Sequence, residues 1–344
     1  MAALPPSVAA LRLAVRSALS RLPGGGPVLV ACSGGADSLA LAATTAFVAA
    51  RAGRRAGLVT VDHGLQAGSA ERAEALVRWA VSAGLEPVEA IPVRVAGRPG
   101  GPEAAAREAR YQALTAAARR HRAVAVLLGH TRDDQAETVL LALARGAGPR
   151  GMAGMPVRRD LDGVSLLRPL LGVTREQTRT ACAVLGLVPW DDPHNTDPSY
   201  ARSRVRADVL PALTAALGPA VLDNLARTAE LLAADAEALD ELAARALVAA
   251  RTAGPPGGLS VGALAALPAA VRGRVLHGWA RELGAAPAAL SHRHVRALDA
   301  LVTAWRGQGA AYLPGAIRVA RRDGHLVASD NQPASGVAGR EQID

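Results

Sequence analysis

The chain has no lysine, two cysteines, one phenylalanine, three tyrosines and four tryptophans in 344 residues. Without lysine it cannot form a Walker-type phosphate loop, which ends in Gly-Lys-Ser/Thr. Two cysteines, Cys32 and Cys182, are too few for a disulfide framework or a cysteine zinc site. Arginines interrupt the alanine-rich stretches too often for a bilayer span, and no charged-then-apolar leader opens the chain, so a cytoplasmic protein is expected. Half the residues are hydrophobic. With aromatics so scarce, Ala, Leu and Val must fill the interior, which favours helices around a buried parallel sheet. The formal charge of +9 rests on arginine alone. Its planar fork suits phosphate and nucleic acid, although codon usage in a GC-rich genome explains missing lysines equally well.

The most informative stretch runs from Val28 to Leu41. A short apolar segment leads into Cys32-Ser33-Gly34-Gly35-Ala36-Asp37-Ser38, and a helical pattern follows at once. The glycine pair permits positive φ and leaves no Cβ to block a ligand. Two serine hydroxyls and the free N–H groups of a new helix complete an anion-holding turn, suited to the pyrophosphate of a nucleotide. Asp37 is what a plain turn would not need; beside a polyphosphate it makes sense as a Mg²⁺ ligand.

Further strands are expected at 57–64, 87–93, 124–130 and 165–171, with helices over 1–22, 37–50, 69–83, 103–121 and 174–185. This alternation predicts an α/β fold with a doubly wound parallel sheet. Ligands in that architecture bind beyond the carboxyl ends of strands, where Asp62, His63, Gly129 and His130 fall beside the serine-glycine turn. From about 207 long Ala/Leu-rich helices take over, and 312–329 reads as a small strand pair. The expected organisation is a catalytic domain over 1–206, a smaller mainly helical domain over 207–330 and a disordered tail over 331–344.

Gly129 to Thr138 carries the second signal. Thr131 and Asp134 form a capping-box pattern, so a helix starts here. Asp134 and Glu137, three apart, then share a face and can hold Mg²⁺ or grip an ammonium group. Arg107 and Arg110 are likewise three apart on an expected helix. Arg145 and Arg150 lie in a glycine-rich loop over 145–156, read as mobile. Arg202, Arg204 and Arg206 can contact phosphate or cover a domain junction.

Together with Arg168-Pro169-Leu170-Leu171 and 191–195, these motifs, in their order and spacing over 25–210, resemble the bacterial tRNA(Ile)-lysidine synthases of the N-type ATP pyrophosphatase (PP-loop) superfamily. The resemblance implies adenylation by ATP of the C2 oxygen of the wobble cytidine in a CAU-anticodon tRNA(Ile), with pyrophosphate released. The ε-amine of free L-lysine then attacks C2 and expels AMP. It implies that Cys32–Ser38, Asp62, His63, Gly129 and His130 hold ATP, and that Asp37 and Asp134 hold Mg²⁺. Asp37, Arg107, Arg110, Asp134, Glu137 and Arg206 would carry the chemistry, and Arg145, Arg150, Arg202 and Arg204 would contact the tRNA. The helical second half would bind tRNA as well; monomer and homodimer both stay open. Two positions depart from the family pattern: Leu65-Gln66, where an arginine is common, and Ser203, where asparagine is frequent. A tRNA-thiolating relative would need paired cysteines, which the two distant ones here do not offer. Amidating synthetases share the loop but would not explain the arginine pairs.

Overall fold

The computed structural model describes residues 4–64, 68–94, 102–192, 197–253, 255, 257–287 and 289–330. Leu65, Gln66, residues 193–195 and the tail over 331–344 lie outside the described residues. Contacts divide the chain into two units, the first ending at Ala233 and the second starting at Ala234.

The first unit opens with α1 (Pro6–Ser20), β1 (Val28–Ala31), α2 (Ala36–Arg51), β2 (Ala56–Asp62), α3 (Ser69–Ser82), β3 (Val88–Pro92), α4 (Pro102–Arg120) and β4 (Ala125–Leu128). It continues through α5 (Arg132–Ala144), α6 (Pro149–Met152), β5 (Arg158–Leu161), β6 (Val164–Leu167), α7 (Arg175–Val184) and α8 (Ala201–Arg204). A π-helical turn, Val205–Val209, leads into α9 (Leu210–Leu217) and α10 (Val221–Thr252). The strand order is β3-β2-β1-β4-β6-β5, parallel except for β5. The expected doubly wound sheet is therefore present.

Strand alternation divides the core into two layers, because successive side chains leave opposite faces. Val28 and Val30 pack with Leu11, Leu41 and Leu58, in the layer lined by α1, α2, α3 and α7. Leu29 faces the other way, onto Tyr111 and Leu114 of α4. Such strands, buried on both faces, read as continuous apolar runs, which is why they were legible. β5 was not: Arg158-Arg159-Asp160-Leu161 is polar, exposed and at the sheet edge.

The 145–156 segment, expected as an irregular mobile loop, contains the single turn α6 and ends at a fixed anchor. The Gln135 side-chain amide donates to Met155 O at 2.9 Å and accepts from Met155 N at 2.7 Å. The division into units comes later than the junction expected after Arg206, inside α10. The reason is that α8 and the π-helical turn pack against α5, tied there by arginines described below.

The second unit continues with β7 (Leu259–Ser260), α11 (Val261–Ala265), α12 (Ala269–Glu282), α13 (His292–Thr303), β8 (Ala311–Leu313), β9 (Ile317–Arg322) and β10 (His325–Asp330). The expected strand pair is a four-stranded antiparallel sheet of order β7-β10-β9-β8. Its core gathers Leu259, Leu276, Trp279, Leu298 and Val319. Two buried-side arginines brace the helices: Arg272 pairs with Asp299 at 2.6 Å and Arg274 with Asp240 at 3.2 Å. Among the described residues no single helix is long and apolar enough to cross a membrane.

Candidate functional site

The strand order reverses between β1 and β4, and the crevice beyond their carboxyl ends is where such sheets bind ligands. The Ser33–Ser38 turn fills one side. Gly34 has φ of +84° while Gly35, the N-cap of α2, is extended, so only one of the pair uses the left-handed region. Ser38 holds the turn together: its hydroxyl donates to Gly35 O at 3.0 Å and accepts from Ser33 N at 3.1 Å. Ser33 Oγ lies 3.3 Å from Ser38 Oγ. The Cys32 thiol is buried and donates to the same hydroxyl, 3.5 Å away; burial pushes its pKa up. Cys32 is thus part of the wall, as a small hydrophobe would be.

On the β4 side, Gly129 presses against the start of α2. A Cβ there would sit 3.0 Å from both Ser38 N and Ser38 Cα. Beside the turn, Trp190 N donates to Gly34 O at 3.0 Å. A cavity of about 630 Å³ opens from Ser33 and Gly34 past Asp62 and His63 to Leu76 and Trp190. Arg72 stacks on the Trp190 ring at 4.3 Å. Asp62 accepts from Gly64 N at 2.9 Å, which shapes the strand end.

Deeper in, four carboxylates converge on one guanidinium that the sequence reading passed over. Arg175, at the first position of α7, donates through Nη2 to Asp134 at 3.0 Å and to Glu137 at 3.1 Å. Its Nε lies 3.8 Å from Asp37 and its Nη1 3.9 Å from Asp133. The Arg175 backbone amide donates to Asp133 at 2.8 Å. Glu137 is 0% exposed. It also accepts from Arg206 Nε and Nη2, at 2.8 and 3.1 Å, and faces Arg202 Nε at 3.5 Å. Arg202 and Arg206 are four apart and reach the same carboxylate across the π-helical turn. Arg204, between them, turns outward and donates to the Pro198 and Ser199 carbonyls at 2.6 and 3.0 Å.

These surroundings set the charges. Burial raises the Asp37 pKa to about 6, against the donated Thr178 hydrogen bond and Arg175. Burial pushes Asp134 the same way, but Arg175, the Thr131 amide and Arg206 outweigh it and hold the carboxyl below its ordinary range. Thr131 N donates to Asp134 at 2.8 Å, so the expected capping interaction is made. Arg175 is held charged: burial opposes this, and the four carboxylates overcome it.

Arg107, Arg110 and Arg168 gather around Tyr111, and Arg107 and Arg110 stack on its ring at 5.1 and 5.7 Å. Burial and then Arg107 and Arg202 depress the Arg110 pKa. Burial, Arg168 and Arg110 bring His130 down to about 3, so its ring is neutral. Burial and Arg110 act alike on His63. The Nδ1 atoms of His63 and His130 are buried without a hydrogen-bond partner among the described residues. Arginine charge and two orphaned imidazole nitrogens therefore lie beside the Ser33–Ser38 turn. Arg145 and Arg150 are exposed, on either side of Gly148.

No group of three His, Cys, Asp or Glu side chains among the described residues forms a metal cage. Magnesium needs none, since it is commonly held by one or two carboxylates plus substrate phosphates. Asp37, at the mouth of the turn, fits that donor set.

Arg175 and Thr178 were missed because each acts through a distant partner, Arg175 on Glu137 and Thr178 on Asp37; Tyr111 instead carries the stacking of its near neighbours Arg107 and Arg110. The Thr174–Gln177 capping box marks a helix start, with Gln177 N donating to Thr174 at 3.1 Å. It does not reveal which carboxylates that helix end meets.

A PP-loop domain family model matches residues 14–213, and a TilS substrate binding domain model matches 259–327. The fold is similar to that of U34-tRNA thiolase NcsA from Methanococcus maripaludis, with a TM-score of 0.54 and 20% identity over 66% of this chain and 80% of that one. At that identity the likeness is one of fold. Similar curated proteins called tRNA(Ile)-lysidine synthase include one from Salinispora arenicola, 74% identical over 97% of this chain and 99% of its own; one from Thermobifida fusca, 54% identical over 96% and 99%; and one from Streptomyces coelicolor, 53% identical over 94% and 98%. With a glycine-serine turn at the sheet's switch point, both family models in order and relatives matched nearly end to end, this chain belongs to the tRNA(Ile)-lysidine synthase family, ATP-dependent ligases built on a PP-loop domain.

Proposed function

We propose that this protein, in the cytoplasm, ligates free L-lysine to C2 of the wobble cytidine, position 34, of a CAU-anticodon tRNA(Ile). The product decodes AUA in place of AUG. The observation that carries the reading is the direct link between the Ser33–Ser38 turn and the carboxylate cluster, made where Arg175 meets Asp37, Asp134 and Glu137. One site thus offers an anion cradle and an acidic cage a few ångströms apart.

In the first step the cytidine C2 oxygen attacks the α-phosphorus of ATP. The bond to the bridging oxygen of the β-phosphate breaks, and pyrophosphate leaves into the turn. Ser33, Gly34, Gly35, Ala36 and Ser38 cradle it through backbone amides and hydroxyls. The 630 Å³ cavity is of a size to take the adenosine. Mg²⁺, held by Asp37 and the phosphates, would neutralise the departing charge. Arg107 and Arg110 stabilise the activated cytidine electrostatically. In the second step the ε-amine attacks C2, the C–O bond to AMP breaks with its electron pair going to the phosphate oxygen, and the proton lost from the amine nitrogen leaves with the AMP phosphate. Asp134 suits a grip on the ammonium more than removal of its proton, because its depressed pKa makes it a poor base. Glu137, surrounded by Arg175, Arg202 and Arg206, holds those arginines in place. Arg145, Arg150 and Arg204 lie on the exposed side, suited to tRNA phosphates. The catalytic domain is proposed over 1–206 with a helical tRNA-binding domain following, although the compact unit that contains the catalytic residues extends further, to Ala233.

The test is incubation with ATP, Mg²⁺, labelled lysine and CAU-anticodon tRNA. Label in RNA with stoichiometric pyrophosphate is expected; a thiol donor in place of lysine should give none. Transfer of sulfur instead would overturn the reading. Both cysteines are buried, and burial carries Cys182 to about 11, so neither offers a thiolate near neutrality.

Gly129→Ala gives an independent check. The added methyl meets the α2 backbone 3.0 Å away, and overpacking of this kind costs about 1–3 kcal/mol. ATP affinity is expected to fall roughly tenfold, read by nucleotide titration, while lysine KM stays near wild type. Unchanged ATP affinity would show that the start of α2 does not hold the nucleotide.

A further inference from the structure

We infer that the second unit carries a stacking site for an unpaired nucleotide of the RNA substrate, built on Tyr312 and Arg293. The inference rests on the proposed function and adds a site on a different part of the chain. In a protein with three tyrosines, Tyr312 is 60% exposed. Its strand neighbours Ala311 and Leu313 are buried, so β8 turns this one ring outward. A concavity of about 640 Å³ lies there, lined by Arg293, His294 and Ala297 of α13 and by Tyr312, Leu313 and Pro314. Among the described residues no carboxylate lines it.

The chemistry of the lining selects the ligand. An exposed aromatic ring flanked by guanidinium groups is the element with which proteins stack splayed-out bases. Arg318 is paired with Tyr312 across the β8–β9 ladder, and so stands on the same face of the sheet. Arg293 stands on the α13 side. The His294 Nδ1 accepts from Ser291 N at 3.0 Å, so the ring carries its proton on Nε2 and presents a donor there. A flat face, one lining arginine, a second arginine on the same face of the sheet and a donor suit a base and its phosphate. They do not suit an apolar or cationic partner. The pocket is open and of a size to take one nucleotide.

The experiment measures binding of the full-length protein to CAU-anticodon tRNA(Ile) and to a blunt RNA duplex at fixed salt. Tyr312→Ala is expected to weaken tRNA binding about tenfold, the range seen when a base-stacking ring is removed. Duplex binding should stay unchanged. Tyr312→Phe keeps the ring and should lie within about twofold of wild type. Arg293→Gln should weaken both ligands. Thermal melting checks that the Tyr312 variants fold, as an exposed side chain allows. Equal tRNA affinity for wild type and Tyr312→Ala overturns the site. Equal losses for tRNA and duplex overturn stacking in favour of a phosphate contact. If wild type binds and modifies no tRNA at all, the proposed function fails instead, which is a separate result.

Discussion

Replacing Arg175 by alanine is expected to lower the rate of lysidine formation by about a hundred- to a thousandfold, the scale seen when a preorganised electrostatic partner is lost. The side chain is the cation that touches Asp37, Asp133, Asp134 and Glu137. Without it four carboxylates face one another, with Arg202 and Arg206 the remaining arginines against Glu137 among the described residues. Leaving buried charges unpaired in this way costs about 3–5 kcal/mol of stability, so melting should fall as well. Two further measurements separate positioning from simple unfolding. Arg175→Lys keeps the charge but loses the fork that reaches Asp134 and Glu137 through one nitrogen, and should recover stability better than rate. Guanidinium ion at millimolar concentration should partly restore the rate of Arg175→Ala by entering the vacated space. A variant with near-wild-type turnover would show that the carboxylates hold their places unaided.

Asp37→Asn should abolish the reaction and yet stabilise the fold. Burial lifts the Asp37 pKa from its ordinary 3.8 to about 6, so the folded protein binds this proton more tightly than the unfolded chain does. The sign follows from linkage: the stabilisation is fully present below about pH 4 and is lost as pH rises through about 6. At pH 7.5 without Mg²⁺ the ionised side chain therefore costs on the order of 2–3 kcal/mol. Asparagine removes that cost and keeps an oxygen for the Thr178 hydroxyl, which donates to Asp37 in the native protein. Melting of the variant above wild type at pH 7.5, with the gap closing toward pH 4, is the expected pattern. Lysidine formation should drop at least about a hundredfold. A gap that persists at pH 4, or a variant that still releases pyrophosphate at the native rate, would refute this account of Asp37.

Most of the PP-loop unit was legible because its signals are local. A buried parallel strand is an apolar run, a tight anion-holding turn needs glycine, and a helix start needs a cap, so β1, Gly34 and Thr131 with Asp134 could be read from neighbouring residues. The strands that escaped lack such signals. β5 is polar at the sheet edge, and β7 is two residues long and defined by its partner, pairing His325 with Ser260. Asp134 and Glu137 could be placed on one helical face by their spacing. Their surroundings could not: Glu137 has no exposure and three arginines around it, two of them nearly seventy positions later in the chain.

The amino-acid order by itself determined the alternation of strands and helices, the glycine-serine turn and the chemical character of the crevice. Each of these is dictated by backbone geometry and by side chains a few positions apart. The folded chain alone decided the electrostatics: that Arg175 meets Asp37 and Glu137, that Asp37 is pushed toward neutrality while Asp134 is held ionised, and that Arg202 and Arg206 turn inward while Arg204 turns out. Charge interactions act through space and vary with burial, and both are properties of where helices end up rather than of the order in which they are written.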